Sequence, residues 1–178
     1  RERLWRIRAK QVLLATGAIE RPLAFVDNDT PGVMLCSAIS CFILKYGVKP
    51  GHRGLIFTNN DSGYQTALDM LMAGIKIQGI IDIRREVSEN LLAMCCANNI
   101  HIYLQHAVVS TKRNSNGLCG VEIAKLTSDI SDIVCHKGYI ECDILGVSGG
   151  WNPSVHLHSQ SGGELKYSSD YQCFMPFK

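Results

Sequence analysis

Short apolar runs alternate with longer segments of helical periodicity along most of this chain. The runs typical of strands buried on both faces of a sheet are 12–15, 54–57, 77–81, 100–104 and 142–148. Residues 33–46 and 86–98 space their apolar side chains three and four positions apart, which predicts two helices. Strands that alternate with helices in this order predict an α/β fold with a central parallel sheet.

The remaining segments are less regular. Residues 107–112 and 118–125 alternate between apolar and polar side chains, which predicts two strands of a β-meander joined by a turn at 114–117. Leu4, Trp5 and Ile7 indicate a short edge strand. The expectations elsewhere are a proline-bearing loop at 18–32, an ambiguous segment at 128–137, a strand at 138–141 and a polar, loop-like tail after Gly150.

The segment from Gly54 to Asp82 has the order of a dinucleotide-binding strand–turn–helix–strand unit. Counted back from the helix, the usual Gly-x-Gly-x-x-Gly frame falls on Thr58, Asn60 and Gly63. Only the third glycine, which allows close packing of helix on strand, is kept. Asn60 is a partial substitute, because asparagine tolerates left-handed backbone geometry better than most residues.

An acid follows this turn at the spacing of a ribose-binding carboxylate. Asp82 lies 19 residues after Gly63 and favours an unphosphorylated ribose, hence NAD over NADP. Arg84 complicates this prediction, because arginine can meet a 2′-phosphate or stack on adenine. Two alternatives stay open: Asp82 caps a loop, or the whole unit is kept for structure and binds no nucleotide.

Charge and cysteine usage exclude several classes of function. With 18 basic and 16 acidic residues, the chain lacks the electrostatic footprint of a protein that binds nucleic acid or an anionic membrane. No apolar run approaches the roughly 20 residues of a membrane span. The sequence lacks Cys-x-x-Cys, so its eight cysteines support neither a zinc knuckle nor a redox dithiol. We expect reduced, buried thiols in a cytoplasmic protein, at Cys36, Cys41, Cys95, Cys96, Cys135 and Cys142.

The sequence predicts no catalytic acid–base pair and no metal site. His156 and His158 would share a face of a strand, but no third ligand at suitable spacing supports a metal. Packing or capping is the favoured interpretation of both histidines.

Two further strand ends accompany the nucleotide-type unit. The run 12–15 leads into Thr16-Gly17, and 142–148 leads into Gly149-Gly150. Three such elements in this order resemble the FAD/NAD-linked reductases. Specific motifs at 15–23, 28–34, 58–62 and 147–158 look like the alpha subunit of heterotetrameric sarcosine oxidase. The alpha subunits of hydrogen cyanide synthase, opine oxidase and dye-linked proline dehydrogenase are similar but less close.

The resemblance implies a Rossmann-like FAD/NAD(P)-binding fold with a parallel sheet and a β-meander. It implies an incomplete FAD-type domain at 1–32, an inserted NAD-type domain at 33–141, and a return to the first domain at 142–178. By this resemblance the chain is expected to be a fragment of an alpha subunit or a shortened reading frame. The cofactor-binding positions that follow are Thr58, Asn60, Gly63, Asp82 and Arg84 in the inserted domain, and Thr16, Gly17 and Gly149 at the edge of the other domain.

The same resemblance implies that NAD binds to the alpha subunit, while sarcosine is demethylated at a flavin on a beta subunit. FMN would bind between the alpha and beta subunits, and further oxidase subunits would complete the complex. Which dinucleotide domain holds NAD, and which amine is oxidised, stay open. The competing hypotheses are a non-catalytic structural subunit with a degenerate Rossmann unit, and a self-contained NADH-dependent reductase. The absence of a redox cysteine pair disfavours the reductase.

Overall fold

The computed structural model describes residues 2–177, apart from the side chains of residues 135–137. Contacts between residues divide the chain into two compact units. One unit is Glu20–Gly150, and the other combines Arg1–Ile19 with Trp151–Lys178. We refer to them as the central unit and the terminal unit.

Strands outnumber helices in the described chain. The strands are β1 (Ala18–Glu20), β2 (Val33–Leu35), β3 (Arg53–Thr58), β4 (Lys76–Asp82), β5 (Ile102–Leu104), β6 (His106–Asn114), β7 (Gly117–Leu126), β8 (Ile133–Ile140), β9 (Ile144–Ser148), β10 (Trp151–Pro153), β11 (Glu164–Ser168) and β12 (Cys173–Phe177). The helices are α1 (Cys36–Tyr46), α2 (Ser62–Met72), α3 (Glu89–Ala97) and α4 (His156–Gln160). None of these helices is long and apolar enough to span a membrane.

A five-stranded parallel sheet forms the middle of the central unit, in the order β2-β9-β3-β4-β5. Strand β9, which comes last in the sequence of this unit, lies between β2 and β3. The register pairs Thr58 with Ser148 on one side and with Asp82 on the other. The carboxyl ends of β3, β4 and β9 therefore meet at one edge of the sheet.

The central unit has three layers, and this sheet is the middle one. Helices α1, α2 and α3 cover one face, where the buried side chains include Ile39, Ile56 and Met70. The antiparallel sheet β6-β7-β8 covers the other face, where Phe57 and Val121 are among the buried residues. This arrangement confirms the predicted α/β fold with a parallel sheet and a β-meander. The predicted domain limits at 32/33 and 141/142 stay a prediction.

The first predicted strands do not form. No strand begins before Ala18 in the described chain, and Val12 and Leu13 are 77% and 92% exposed rather than buried. The predicted edge strand around Trp5 is likewise absent, and Trp5 is exposed. An apolar run becomes a strand only where a neighbouring strand pairs its backbone N–H and C=O groups. The apolar pattern alone cannot supply that neighbour.

Two other predictions were wrong in detail. The helix expected at 33–46 begins at Cys36, because Val33–Leu35 pair with β9 as a strand instead. The tail expected to be loop-like contains β10, α4 and the antiparallel pair β11-β12. Pairing between distant strands outweighs local periodicity in both places.

The cysteines divide between core and surface. Cys36, Cys95 and Cys142 are buried as predicted, whereas Cys41 and Cys96 are exposed. The prediction is wrong for this exposed pair because Cys41 lies on α1 and Cys96 on α3, and a helix that packs on one side of a sheet keeps its other face exposed. The side chain of Cys135 lies outside the described part of the structure. All seven cysteines whose side chains are described are free thiols.

The candidate nucleotide crevice

The order in which the chain adds strands to the parallel sheet reverses between β3 and β9. From β3 the chain runs through α2 to β4 on one side, while β9 flanks β3 on the other. In open α/β sheets, ligands bind in the crevice outside the carboxyl ends of the strands at such a switch point. Thr58, Ser148 and Asp82 end the three strands there, and each is 0% exposed. We call this place the nucleotide crevice.

The turn after β3 is closed by its own side chains. The Thr58 hydroxyl accepts a hydrogen bond from the Asn60 backbone N–H at 3.1 Å and donates one to the Asn60 carbonyl at 2.9 Å. The Asn60 amide group donates to the backbone carbonyl and to the hydroxyl of Ser148, at 3.2 and 3.0 Å. The Asn60 side chain therefore spans the crevice from β3 to β9.

The same asparagine also occupies the start of helix α2. Its amide oxygen accepts hydrogen bonds from the Ser62 backbone N–H, at 3.0 Å, and from the Ser62 hydroxyl. The first backbone N–H groups of a helix have no partner within the helix and are the usual donors to a phosphate. In this protein Asn60 takes one of them.

Two glycines among the predicted cofactor-binding positions, Gly63 and Gly149, make close contacts within the protein, and for Gly63 this is the predicted packing of helix on strand. A Cβ atom on Gly63 would lie 2.8 Å from the Cβ of Thr58, so glycine is needed for α2 to pack on β3. A Cβ atom on Gly149 would lie 2.8 Å from the Pro22 carbonyl oxygen and 3.0 Å from that of Arg21. The Gly149 backbone N–H also donates to the Arg21 carbonyl at 2.7 Å. Close packing of the chain on itself accounts for both residues.

Both oxygens of the Asp82 carboxylate accept hydrogen bonds from within the protein. The Tyr64 hydroxyl donates to its Oδ2 at 2.8 Å, and the Arg84 backbone N–H donates to its Oδ1 at 2.9 Å. The Arg84 guanidinium adds an Nη2 contact with Oδ2 at 2.8 Å and Nε contacts with both oxygens at 3.1 and 3.2 Å. A carboxylate offers about four acceptor positions. Asp82 therefore has none left for a pair of ribose hydroxyls.

Arg84 extends this network across the crevice. Its Nη1 lies 2.6 Å from Oδ1 of Asp61, the residue directly before α2. Burial acts to lower the pKa of the Arg84 guanidinium, but its hydrogen bonds to Asp82 and Asp61 outweigh burial and raise it. Burial and the neighbouring Asp82 raise the pKa of the Tyr64 hydroxyl, which stays protonated and donates. The network ties the end of β4 to the start of α2.

The predicted cofactor-binding residues fall into two groups. The structure brings together Thr58, Asn60, Gly63, Asp82 and Arg84, with Gly149 beside them at the end of β9.

Thr16 and Gly17 belong to the terminal unit. There the Thr16 hydroxyl donates to the Ser154 carbonyl at 2.6 Å, and the Gly17 carbonyl accepts from the Ser154 backbone N–H at 2.9 Å. Gly17 has a φ of +71°, a conformation that favours glycine. These contacts place both residues in a turn packed on the chain after β10.

Sequence reasoning missed the partners that complete the network. No role was assigned to Tyr64, although this third residue of α2 donates its hydroxyl to Asp82 at the end of β4. Ser148 was assigned only to a buried strand, although its hydroxyl and carbonyl receive Asn60. A polar residue at the end of an otherwise apolar buried strand was the signal available for Ser148.

The central unit also has a recess that reaches Val147, the residue before Ser148 in β9. It has a volume of about 160 Å³ and is lined mainly by apolar side chains, among them Leu23, Phe25, Met34 and Val147. Sites for small molecules are typically about 300–1,000 Å³. The recess is too small for a dinucleotide.

The two histidines considered as metal ligands lie on a short helix rather than a strand. Residues two apart on a helix do not share a face, so His156 and His158 do not point the same way. Nε2 of His158 lies 3.1 Å from the Glu164 carbonyl oxygen. Within the described part of the chain, no group of three or more His, Cys, Asp or Glu side chains is placed to hold a metal ion.

The residues present do not fit a dinucleotide in this arrangement. A nucleotide in a Rossmann unit uses an acid for its ribose and helix N–H groups for its pyrophosphate. In this protein Arg84 and Tyr64 hold the acid, and Asn60 bridges the place next to the helix. The crevice has the fold of a nucleotide site and the contacts of a closed turn.

Comparison with solved structures places the fold among flavin- and nicotinamide-linked oxidoreductases. A thioredoxin reductase from T. acidophilum matches 85% of this chain and 47% of its own, with a TM-score of 0.63 and 16% identity. An L-proline dehydrogenase from P. horikoshii matches 95% of this chain and 26% of its own, with a TM-score of 0.62 and 21% identity. These likenesses confirm the predicted FAD/NAD-binding fold.

Sequence comparison gives a narrower relationship, although no family model matches the chain. A sarcosine oxidase subunit alpha from Corynebacterium sp. (strain P-1) is 40% identical over 177 residues, and one from Rhizobium meliloti (strain 1021) is 37% identical over 177 residues. The matches cover 98–99% of this chain but only 16–18% of those relatives, so the chain spans less than a fifth of their length. The resemblance is therefore confirmed: this chain is a relative, over nearly its whole length, of one segment of the sarcosine oxidase alpha subunits.

Proposed function

We propose that this chain is the dinucleotide-fold segment of an alpha subunit in a multi-subunit oxidase of the sarcosine oxidase type. The observation that carries the proposal is the 37–40% identity to three such alpha subunits along 98–99% of the chain. Identity at this level is not confined to the nucleotide-type turn. The alignment that gives this identity covers the meander and the terminal unit as well, as expected of a shared segment rather than of a shared motif.

The proposal divides the chemistry between chains. Oxidation of a small amine, with sarcosine as the first candidate, would take place at flavin carried by a beta subunit. This segment would contribute structure and assembly. FAD or FMN would belong to the full complex, and NAD to the alpha subunit. The buried polar side chains of the crevice are hydrogen-bonded to one another, which supports a structural rather than a catalytic role for them.

Organisation and location complete the proposal. We retain the three-part division into 1–32, 33–141 and 142–178 as the proposed relation to the two dinucleotide domains of the larger subunit. The seven free thiols among the described side chains support a reducing compartment such as the cytoplasm.

A second candidate is a non-catalytic structural subunit whose nucleotide-type fold has become degenerate. The specific observation in its favour is the closed crevice, in which Arg84 and Tyr64 hold Asp82. This candidate predicts assembly with partner chains but no contribution to NAD binding.

A segment exchange tests the proposal. The matching segment of the Corynebacterium alpha subunit would be replaced by residues 1–178 of this chain, and the hybrid would be produced with its native partner subunits. We expect co-purification with bound flavin and sarcosine-dependent oxygen consumption, compared with the unaltered enzyme. A hybrid that retains its circular dichroism spectrum but does not co-purify with the partner subunits would contradict the proposal. Assembly without sarcosine oxidation would favour the structural candidate.

A further inference from the structure

We propose that the nucleotide crevice of the central unit holds no dinucleotide, because the protein fills it with its own side chains. Arg84 takes the place of the ribose on Asp82, and Asn60 takes the place of the phosphate beside α2. The inference goes beyond the proposed function, since it applies whether or not the chain belongs to an oxidase.

The ribose position is blocked by the use of Asp82. A ribose binds such an acid by donating both hydroxyl protons to it. Asp82 already accepts from Tyr64 and from the backbone and guanidinium of Arg84, and its side chain is 0% exposed. A ribose could bind only after Arg84 left, and the buried carboxylate would then lose the cation that offsets its burial.

The phosphate position is blocked by sterics and by charge. The Asn60 amide group bridges to Ser148 over the turn, and its oxygen takes the Ser62 backbone N–H. Two carboxylates, those of Asp61 and Asp82, face the single guanidinium of Arg84, so this network carries one net negative charge. A pyrophosphate is an anion, and a net negative network next to it opposes binding.

Features of the crevice that are typical of a nucleotide site have partners within the protein instead. The carboxylate of Asp61 lies at the positive end of the α2 dipole, where an anion is favourable. Gly63 is required for the packing of α2 on Thr58, so its presence does not indicate a ligand. Contacts within the chain therefore account for both residues.

Calorimetric titration of the chain with NAD tests the inference, using the wild type and Asp82→Asn. The matched control is Asp143→Asn, because Asp143 accepts the His52 and Arg53 backbone N–H groups at 2.8 Å each, at the opposite edge of the same strands. We expect no saturable binding, or binding whose Kd changes less than about twofold in both variants. Folding of each variant would be checked by circular dichroism.

A Kd that rises tenfold or more in folded Asp82→Asn but not in Asp143→Asn would overturn the inference. The absence of any NAD binding would support it, while removing NAD binding by this segment from the proposed function. Binding that is independent of Asp82 would support it and would place the nucleotide elsewhere in the chain. The two proposals therefore fail in distinguishable ways.

Discussion

Replacing Arg84 by methionine tests the closed crevice through stability. Methionine keeps much of the aliphatic volume but removes the guanidinium contacts with Asp82 and Asp61. The Asp82 carboxylate would remain buried with the Tyr64 hydroxyl and one backbone N–H as partners. If these contacts hold the central unit together, Arg84→Met should be strongly destabilising.

The magnitude follows from burial. Removing one partner of a buried ion pair costs roughly 3–5 kcal/mol, because the other charge is left uncompensated. The side chain of Asp82 is 0% exposed and that of Arg84 is 30% exposed, which places the expected loss near the lower end, about 3 kcal/mol. The Asp61 contact adds little, because the Asp61 side chain is 66% exposed and such pairs contribute about 1 kcal/mol or less.

A double variant separates the buried charge from a simple loss of packing. In Arg84→Met with Asp82→Asn, both charges are gone and no ion remains buried without a partner. Replacing both members of a buried pair costs much less than removing one. The double variant should therefore be more stable than Arg84→Met alone, by at least about 1 kcal/mol. Arg85→Met is the matched control, since Arg85 is the exposed neighbour and should change stability by less than about 0.5 kcal/mol.

Urea unfolding followed by far-ultraviolet circular dichroism suits this test. Helices α1, α2 and α3 all lie in the central unit, whereas both tryptophans, Trp5 and Trp151, belong to the terminal unit. Tryptophan fluorescence therefore gives a separate record of the terminal unit in the same samples. The reasoning would be refuted if Arg84→Met lost less than about 0.5 kcal/mol, or if the double variant were no more stable than the single one.

Three further predictions concern the turn, the helix and the buried thiols. Gly63→Ala should lower the free energy of unfolding by about 1–2 kcal/mol. The added Cβ would lie 2.8 Å from Thr58, and this overpacking outweighs the better helix propensity of alanine. Unchanged unfolding in urea would count against close packing at this position. Asn60→Ala should lower the free energy of unfolding by about 1–2 kcal/mol, since the bridge to Ser148 is lost. Hydrogen exchange at the Ser62 backbone amide should become faster, because that amide loses its acceptor. Unaltered exchange would mean that the Asn60 contacts are weak. Burial, followed by the charge of Asp143, raises the pKa of Cys142 to about 12. Cys142 should therefore resist a thiol reagent at about pH 8, while the exposed Cys41 reacts. Equal labelling of the two cysteines, measured by peptide mass spectrometry, would contradict this prediction.

The unit β3–α2–β4 could be predicted because each of its signals is local. An apolar run, a polar turn, a helical stripe and a second run follow one another, and the structure has these elements at Arg53–Thr58, Ser62–Met72 and Lys76–Asp82. Strands β6 and β7 of the meander could be predicted from two alternating segments and a turn for the same reason, whereas β8 (Ile133–Ile140) begins within the segment 128–137 that the pattern left ambiguous. Periodicity and turn chemistry specify elements that depend mainly on their own sequence.

The closure of the crevice could not be predicted, because it depends on contacts between distant residues. Arg84 meets Asp61 across 23 positions, and Asn60 meets Ser148 across 88. The sequence placed an acid and an arginine two residues apart without indicating that they bind each other. The same spacing is compatible with a ribose ligand and with an internal ion pair, and only the fold distinguishes them.

Strand β2 and the exposed run 12–15 show that strand formation, too, depends on contacts between distant residues. Val33–Leu35 became a strand because β9 lies beside them, although their spacing continues that of α1. Val12 and Leu13 have an equally strand-like pattern but remain exposed. Strand formation depends on a partner whose position the local sequence does not encode.

Amide NMR of the isotopically labelled chain, recorded while NAD is added, tests the central claim most directly. The closed crevice predicts that the backbone amides of 58–63 and 82–84, and the side-chain amide of Asn60, keep their chemical shifts at every NAD concentration. Saturable changes of chemical shift concentrated at those backbone amides, together with a shift of the Asn60 side-chain amide away from its value in the hydrogen-bonded state, would contradict the account.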